Sequence, residues 1–376
     1  MAPGEPLRIV MLLDWFFYYA AGIANALAGE AEILFVTRAD GTELGAGTAM
    51  EARKRSLLDP RVRLVMLAGR QSQLGAGIRG ARHARAAIRA FRPDVLHEQP
   101  HHDWRLLHAA GGVTVPRVLT VHDVTPHPGS VYRRTFVHRA LSHLLFAGAD
   151  AYIVHGTHQA SLAMRQGWRR ATAPVYVVPH GVLAQPSAPS PLPEKPTLLF
   201  FGRGERYKGL DILIQAMRLL NPHRSICLVV AGRGGDMERC RALAGNDPRI
   251  QWRIGFVSDG ELPALFAAAS IVVLPYREAS QSGVIPLAYA NRRAVIASDV
   301  GSLAEAVQDG RTGLLVPPED PASLARAIER ALGDRAALEA MSDAALESVT
   351  TGNLSPRSVG ERHLAIYREL ARVGRP

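Results

Sequence analysis

Short runs of uninterrupted apolar residues alternate with helical patterns along the whole chain. In the first half the runs predict strands at Arg8–Leu13, Ile33–Thr37, Val62–Leu67, Val95–His97, Val118–His122, Ala151–His155 and Val175–Val178, with helical segments such as Gly22–Ala28 and Tyr132–Phe146 between them. Strands that are apolar throughout belong to a parallel sheet covered by helices on both faces. The first half therefore predicts one Rossmann-like domain.

Five prolines between Leu183 and Pro196 interrupt the alternation and predict a semi-rigid, extended linker. The pattern then resumes with strands at Thr197–Phe201, Ile226–Ala231, Ile250–Trp252, Ile271–Leu274, Ala294–Ala297 and Gly313–Val316. Helices are expected at Gly209–Leu220, Asp236–Leu243 and Asp259–Ala269, the last capped by Asp259, and then at Ser323–Leu332, Ala336–Ser348 and Ser358–Val373. The expected organisation is an α/β domain over 1–182, a linker over 183–196, a second α/β domain over 197–357 and a closing helix over 358–376. Two such domains leave a cleft at the carboxyl ends of their strands, where open α/β sheets bind ligands.

Composition narrows the picture. A chain of 376 residues, 47% hydrophobic, suffices for two cores. It has no apolar run long enough to span a membrane and no charged segment leading into an apolar one at its start, so a cytoplasmic protein is expected. Cys227 and Cys240 match no metal-ligand spacing and are read as reduced and structural. The net charge of +10 divides into +8 over residues 1–182 (21 Lys and Arg against 13 Asp and Glu) and +2 over 183–376 (23 against 21). An anionic partner of the first half is implied. No DNA-reading element accompanies the charge, so no nucleic-acid partner is expected.

Two stretches carry local chemistry. Pro286 is tolerated only in a first helical turn, so a helix must start near Gly283, with Ser282 as its cap and the N–H groups of Gly283, Val284 and Ile285 open to an anion. An ordinary capped helix would look the same. At the first strand exit of the second half, Gly202 and Gly209 allow turns while Arg203 and Lys208 offer a guanidinium fork and an ammonium to one anion, such as a diphosphate. Surface residues of a connecting loop are the plainer reading. A dinucleotide-binding dehydrogenase is disfavoured, because Gly232-Arg233-Gly234 is followed by Met237 where the motif requires glycine.

Longer runs are similar to a known family. FFGRGERYKGLDILIQAM (Phe200–Met217), VVAGRGG (Val229–Gly235), IGFVSDGELPALFAAASIVVLPY (Ile254–Tyr276) and the segment Ser280–Ile328 resemble the donor domain of glycosyltransferase family 4. FRPDVLHEQ (Phe91–Gln99), PRVLTVHD (Pro116–Asp123) and VVPHGV (Val177–Val182) extend the resemblance into the first half. It implies a GT-B fold, two Rossmann-like domains facing each other across a cleft, and retaining transfer of a sugar from a nucleoside diphosphate sugar to an acceptor hydroxyl. The acceptor could be lipid-linked, a glycan or a secondary metabolite. No metal or other cofactor is implied. By position, Arg203 and Lys208 match the basic pair on the donor diphosphate and Ser282–Ile285 the helix end on its distal phosphate. Gly232, Phe256 and Val257 match the surroundings of the nucleotide, and His122 matches a catalytic histidine facing the donor sugar from the first domain.

The chain departs from that pattern in one place. Two glutamates are expected where Ser280 and Ala288 stand, which puts the family's sugar and ribose contacts in question; Glu278, Ser280 and Gln281 are the replacements on hand. A sugar-nucleotide-binding protein without catalysis is the alternative this suggests, with a GT-B sugar-nucleotide 2-epimerase behind it. His97, His101, His102, His127, His155 and His180 also fall near strand ends, without helical metal-ligand spacing. Asp14, Trp15, Phe16 and Tyr18 after the first strand, together with His127, are acceptor-site candidates, with packing against a helix as the competing reading. Arg79, Arg82, Arg85, Arg89 and Arg92 form one stripe of a helix whose opposite side carries Ala84, Ala87, Ile88 and Phe91. The stripe is a candidate for peripheral docking on an anionic membrane, or a solvated helix face.

Overall fold

The computed structural model describes residues 5–39, 49–68, 72–125, 136–166, 172–181, 189–221 and 225–374. Its contacts divide the chain into two units. One contains the described residues up to Val124, those from 136 to 181, and Pro356 onward; the other contains Thr125 and those from 189 to Ser355.

In the first unit seven parallel strands are described: β1 (Leu7–Leu13), β2 (Ala31–Arg38), β3 (Arg63–Leu67), β4 (Val95–Glu98), β5 (Arg117–Thr120), β6 (Ala151–Val154) and β7 (Val175–Val177). Their order is β3-β2-β1-β4-β5-β6-β7, so the direction of winding reverses between β1 and β4. The second unit repeats the plan with β8 (Thr197–Phe201), β9 (Cys227–Gly232), β10 (Ile250–Ile254), β11 (Ile271–Leu274), β12 (Val295–Ser298) and β13 (Gly313–Val316), in the order β10-β9-β8-β11-β12-β13. Its reversal falls between β8 and β11. Such reversals part the loops that follow the two central strands and make the usual ligand position of open sheets.

The apolar runs become strands because both sheet faces are covered, and β4, β6, β9, β11 and β12 are buried at every position. Helix Pro356–Val373 belongs to the first unit. Val359, Leu364, Ile366, Tyr367 and Leu370 enter the core shared by β1 and helix Phe17–Leu27, and a β-carbon on Gly360 would lie 2.9 Å from Ala26 Cβ. The glycine permits that close approach.

The described part of the proline-rich linker is not free-standing. Arg293, fully buried, donates to the carbonyls of Ser190, Pro191, Phe266, Ala267 and Ala269, and Arg335 donates to those of Leu192 and Pro193. Residues 182–188 lie outside the description. Asp259 does not cap a helix: the helix runs Leu262–Ala267, because Pro263 fits only its first turn, and Ser258 instead bonds the Glu261 carboxylate. Residues 104–110 and 157–166 add helices that the apolar pattern did not announce.

Candidate functional site

The carboxyl ends of β8 and β11 bring the anion-binding candidates together. Gly202 takes φ +121°, open to glycine, and a β-carbon there would lie 3.2 Å from Lys208 Nζ. Lys208 follows in a single 3-10 turn, Arg206–Lys208, closed by Gly209 at φ +65°. Its side chain turns back into the protein, leaving the residue 8% exposed, and Nζ donates to the Tyr276 hydroxyl at 3.0 Å. The ammonium also lies 5.0 Å from the centre of the Tyr276 ring. Among the described residues it has no carboxylate partner. Arg203 stands exposed on the same loop.

From β11 the chain passes through Tyr276 to Ser282, whose Oγ lies 3.4 Å from the Tyr276 hydroxyl. Helix Val284–Ala290 begins one residue later than a Ser282 cap requires. Val284 N–H donates to Ser282 Oγ at 3.3 Å and Ile285 N–H to the Ser282 carbonyl at 3.3 Å. Of the three N–H groups expected to be open, only that of Gly283 has no bond among the described residues, because the turn before the helix folds back on itself.

Arg277 holds the two loops in register. Its guanidinium donates to both oxygens of Asp211, at 2.9 and 3.0 Å, and to the Arg206 carbonyl at 2.9 Å, while its own N–H donates to the Tyr207 carbonyl at 2.8 Å. Burial works against the Asp211 charge, yet Arg277 and Arg239 hold its carboxyl below the usual range. Tyr276 and Arg277 were both missed from the sequence, although they directly follow an apolar strand and Pro275.

The glycine loops after β8 and β9 lie face to face. A β-carbon on Gly232 would fall 1.9 Å from the Gly202 carbonyl oxygen, and Gly204 N–H donates to the Arg233 carbonyl at 3.0 Å. Beside them Phe256 is 66% exposed, with the Arg233 guanidinium 5.7 Å from its ring, and Val257 follows at the end of β10. Glu278 is exposed and unpaired among the described residues, Ser280 is buried, and Gln281 Oε1 is buried without a partner. Ala288 is fully buried, so its side chain offers nothing to a ribose.

In the first unit His122, at the end of β5, is 1% exposed and both its nitrogens have close neighbours: Nε2 lies 2.8 Å from Gln99 Oε1 and Nδ1 3.1 Å from His155 Nε2. Phe16 stacks on the ring at 3.6 Å. Burial holds His122 and His155 well below the ordinary histidine range and His180 at about 4. The sugar contact expected of His122 would require moving one of these two neighbours away. Gln99, His155 and His180 are the partners that sequence spacing concealed.

The aromatic run after β1 is largely packed. Phe17 is buried against Phe35, Tyr18 accepts from Arg53 at 3.3 Å, and Asp14 accepts from the His102 N–H at 3.3 Å. Phe16 has φ +60°, a strained value for a bulky residue. Only Trp15, 38% exposed, remains open among these acceptor candidates, and His127 lies outside the described residues. Helix Leu74–Phe91 buries Ala84, Ile88 and Phe91, with Ala87 half-buried, and exposes Arg79, Arg82 and Arg89, with Arg92 exposed just beyond it and Arg85 half-buried. Among the described residues no helix is long and apolar enough to cross a membrane.

Two parallel sheets of this topology, with the basic loop and helix start at the second sheet's reversal, are the architecture of GT-B glycosyltransferases. The family model described as Glycosyltransferase Family 4 matches residues 18–192, and that described as Glycosyl transferases group 1 matches 195–334. The chain belongs to glycosyltransferase family 4. It is 30% identical over 282 residues to a glycogen synthase of Mycobacterium tuberculosis, covering 70% of this chain and 66% of that protein. It is also 31% identical over 183 residues to the alpha-D-kanosaminyltransferase of Streptomyces kanamyceticus, covering 48% and 47%. The match thus spans about half to two thirds of the length of these relatives. Among solved structures, a sucrose-phosphate synthase from Thermosynechococcus elongatus superposes with a TM-score of 0.72 at 20% identity, covering 98% of this chain and 100% of that one. Anabaena HepE in complex with UDP-glucose gives 0.71 at 17%, covering 97% and 100%.

Proposed function

We propose that the second unit binds a nucleoside diphosphate sugar and that the enzyme passes the sugar to an acceptor hydroxyl with retention of configuration. The observation that carries this reading is Lys208. A buried ammonium whose one side-chain bond among the described residues is to a neutral phenol lacks, among them, the counter-charge that burial demands, and a diphosphate oxygen would supply it. Arg203 adds a fork suited to two phosphate oxygens, and the Gly283 N–H one more donor. The exposed ring of Phe256, backed by Arg233, suits stacking by the base. Gln281, with its orphaned amide oxygen, replaces a glutamate as the sugar contact.

These donors sit where charge grows as the bond to the diphosphate breaks, so they stabilise the leaving group more than the substrate. Asp211 and Asp236 are committed to arginine pairs and do not serve as nucleophiles. In the proposed step the acceptor oxygen forms its bond to the anomeric carbon as the phosphate oxygen departs. The departing oxygen takes the acceptor's proton on the same face. His122 has no part in the phosphate grip.

The test is a thermal-shift panel of nucleoside diphosphates and their sugars, UDP-glucose first because HepE is solved with it. A raised melting temperature with one base, lost in Lys208→Ala, is expected. The same variant should lose transfer by about 2–5 kcal/mol of activation free energy. A flat panel, or undiminished transfer by Lys208→Ala, rejects the reading.

A further inference from the structure

Three adjacent strands of the first unit each leave a histidine at their carboxyl ends: His122 after β5, His155 after β6 and His180 after β7. One ring nitrogen from each falls within 4.8 Å of the others. His122 and His155 are buried, and His180, half-buried as a residue, turns its ring 4.9 Å from that of His155.

Counting protons gives this cluster its meaning. His155 Nδ1 lies 3.0 Å from the Val178 carbonyl, which only accepts, so the ring proton is there. His122 Nε2 faces Gln99 Oε1 at 2.8 Å and must donate likewise, and His180 Nδ1 lies 3.3 Å from the Gly181 carbonyl. A neutral imidazole has one proton to give, and all three are directed outward. The inward nitrogens are left as lone pairs, and two of them, His122 Nδ1 and His155 Nε2, meet at 3.1 Å. Two lone pairs at that distance repel unless a cation lies between them.

We propose that His122, His155 and His180 form a binding site for one divalent transition metal of the zinc class, which ties together the ends of β5, β6 and β7. Histidine ligands hold such ions through one nitrogen while the other donates to a carbonyl or carboxamide oxygen, which is the arrangement of all three rings. Bonds of about 2.0–2.1 Å in a tetrahedral shell place ligand nitrogens about 3.3 Å apart, close to the His122–His155 separation. The longer separation closes by rotation of His180, the least buried of the three. Imidazole nitrogens select zinc, copper or nickel over magnesium and calcium. Gln99 is the positioning residue for His122. Turning its amide over would let Gln99 donate to His122 and His122 donate to His155, so that no ion would be needed.

The experiment uses the untagged full chain, measuring metal per chain after gel filtration and absorption between about 500 and 700 nm on adding Co2+ to chelator-treated protein. Near one metal per chain and an intense tetrahedral Co2+ band are expected, with both lost in His180→Ala. Gln99→Glu can only accept, and so is expected to keep the metal. Removal of metal by chelator should lower the melting temperature of the starting protein and leave that of His180→Ala unchanged. Metal content no higher than in His180→Ala, or a Co2+ spectrum that His180→Ala does not alter, overturns the proposal. Loss of metal in Gln99→Glu with the fold intact overturns it too. None of these readouts involves sugar transfer, so failure here leaves the donor-site reading standing.

Discussion

Tyr367 places its hydroxyl 2.6 Å from Nδ1 of His97, joining the C-terminal helix to the end of β4 across 270 residues of sequence. Both side chains are buried, and His97 Nε2 continues the chain to Thr120 Oγ1 at 2.7 Å. Replacing Tyr367 by Phe keeps the ring and strands the His97 nitrogen. The loss expected in urea unfolding is about 1–3 kcal/mol, the cost of one unsatisfied buried polar group. No change in the urea midpoint would show that the contact contributes nothing to holding the helix.

The same helix supplies a pH dependence. His363 is fully buried, its Nδ1 bonded to the Val359 carbonyl at 2.8 Å, and burial holds its pKa at about 4, against an ordinary 6.5. Between those values the unfolded chain binds a proton that the folded one does not. Stability is therefore full above pH 6.5 and declines as pH falls towards 4, by about 1.4 kcal/mol per unit from this group. His97, lowered by burial and by His363, adds in the same direction. Urea midpoints at pH 7 and pH 5, taken with chelator present so that metal release does not contribute, should differ less in His363→Leu than in the parent. An equal difference would mean that His363 does not titrate in this window.

The phosphate-type site could be read from sequence because its parts are contiguous. Gly202 to Lys208 and Tyr276 to Ile285 each form one strand exit, and the glycines, the basic pair and Pro286 mark the turns. What escaped was the folding back of the turn onto Ser282, which occupies two of the three expected donors, one through its hydroxyl and one through its backbone carbonyl. The histidine cluster escaped for another reason. His122, His155 and His180 meet only because β5, β6 and β7 are neighbours in register, with Val118 beside Ala151 and Tyr152 beside Val175. A one-dimensional search for ligand spacing does not contain that information.

Arg293 has no carboxylate partner among the described residues and stabilises the second unit through carbonyls. Its guanidinium is completely buried and donates to the carbonyls of five residues from the linker and from helix Leu262–Ala267 to Ala269, while burial lowers its pKa to about 10. Arg293→Met fills similar volume and removes the donor from all five; the Phe266 carbonyl keeps the N–H of Ala269 at 3.0 Å, while those of Ser190, Pro191, Ala267 and Ala269 lose their side-chain partner. A loss on the order of 4 kcal/mol is expected by urea unfolding, with several unsatisfied acceptors at 1–3 each partly rescued by water. A loss below 1 kcal/mol would mean that the linker is not fixed through this residue.

Arg79, Arg82, Arg89 and Arg92 are solvent-exposed on or at the end of one helix and have no ion pair among the described residues. If this stripe docks on a membrane, co-sedimentation should require anionic lipid and weaken with salt. Changing the four arginines to glutamine should abolish it while leaving nucleoside diphosphate binding intact. Sedimentation independent of anionic lipid, or unaffected by the four changes, would reduce the stripe to a solvated helix face.

Arg277 gives the sharpest test of how the donor loops are held. It touches Asp211, Glu319 and the Arg206 carbonyl, and through its N–H the Tyr207 carbonyl, so it fixes the turn that presents Lys208. Arg277→Gln should weaken nucleoside diphosphate binding about tenfold, roughly 1.4 kcal/mol, by loosening the loop. Arg277→Lys should recover little, because an ammonium cannot span both Asp211 oxygens and the carbonyl. Asp211→Asn breaks the same clamp from the other side, so the double variant should bind no worse than the weaker single one, as residues acting through one interaction are not additive. Isothermal titration of the three single variants and the double one decides the matter. Additive losses would mean that Arg277 affects the ligand by a route other than Asp211.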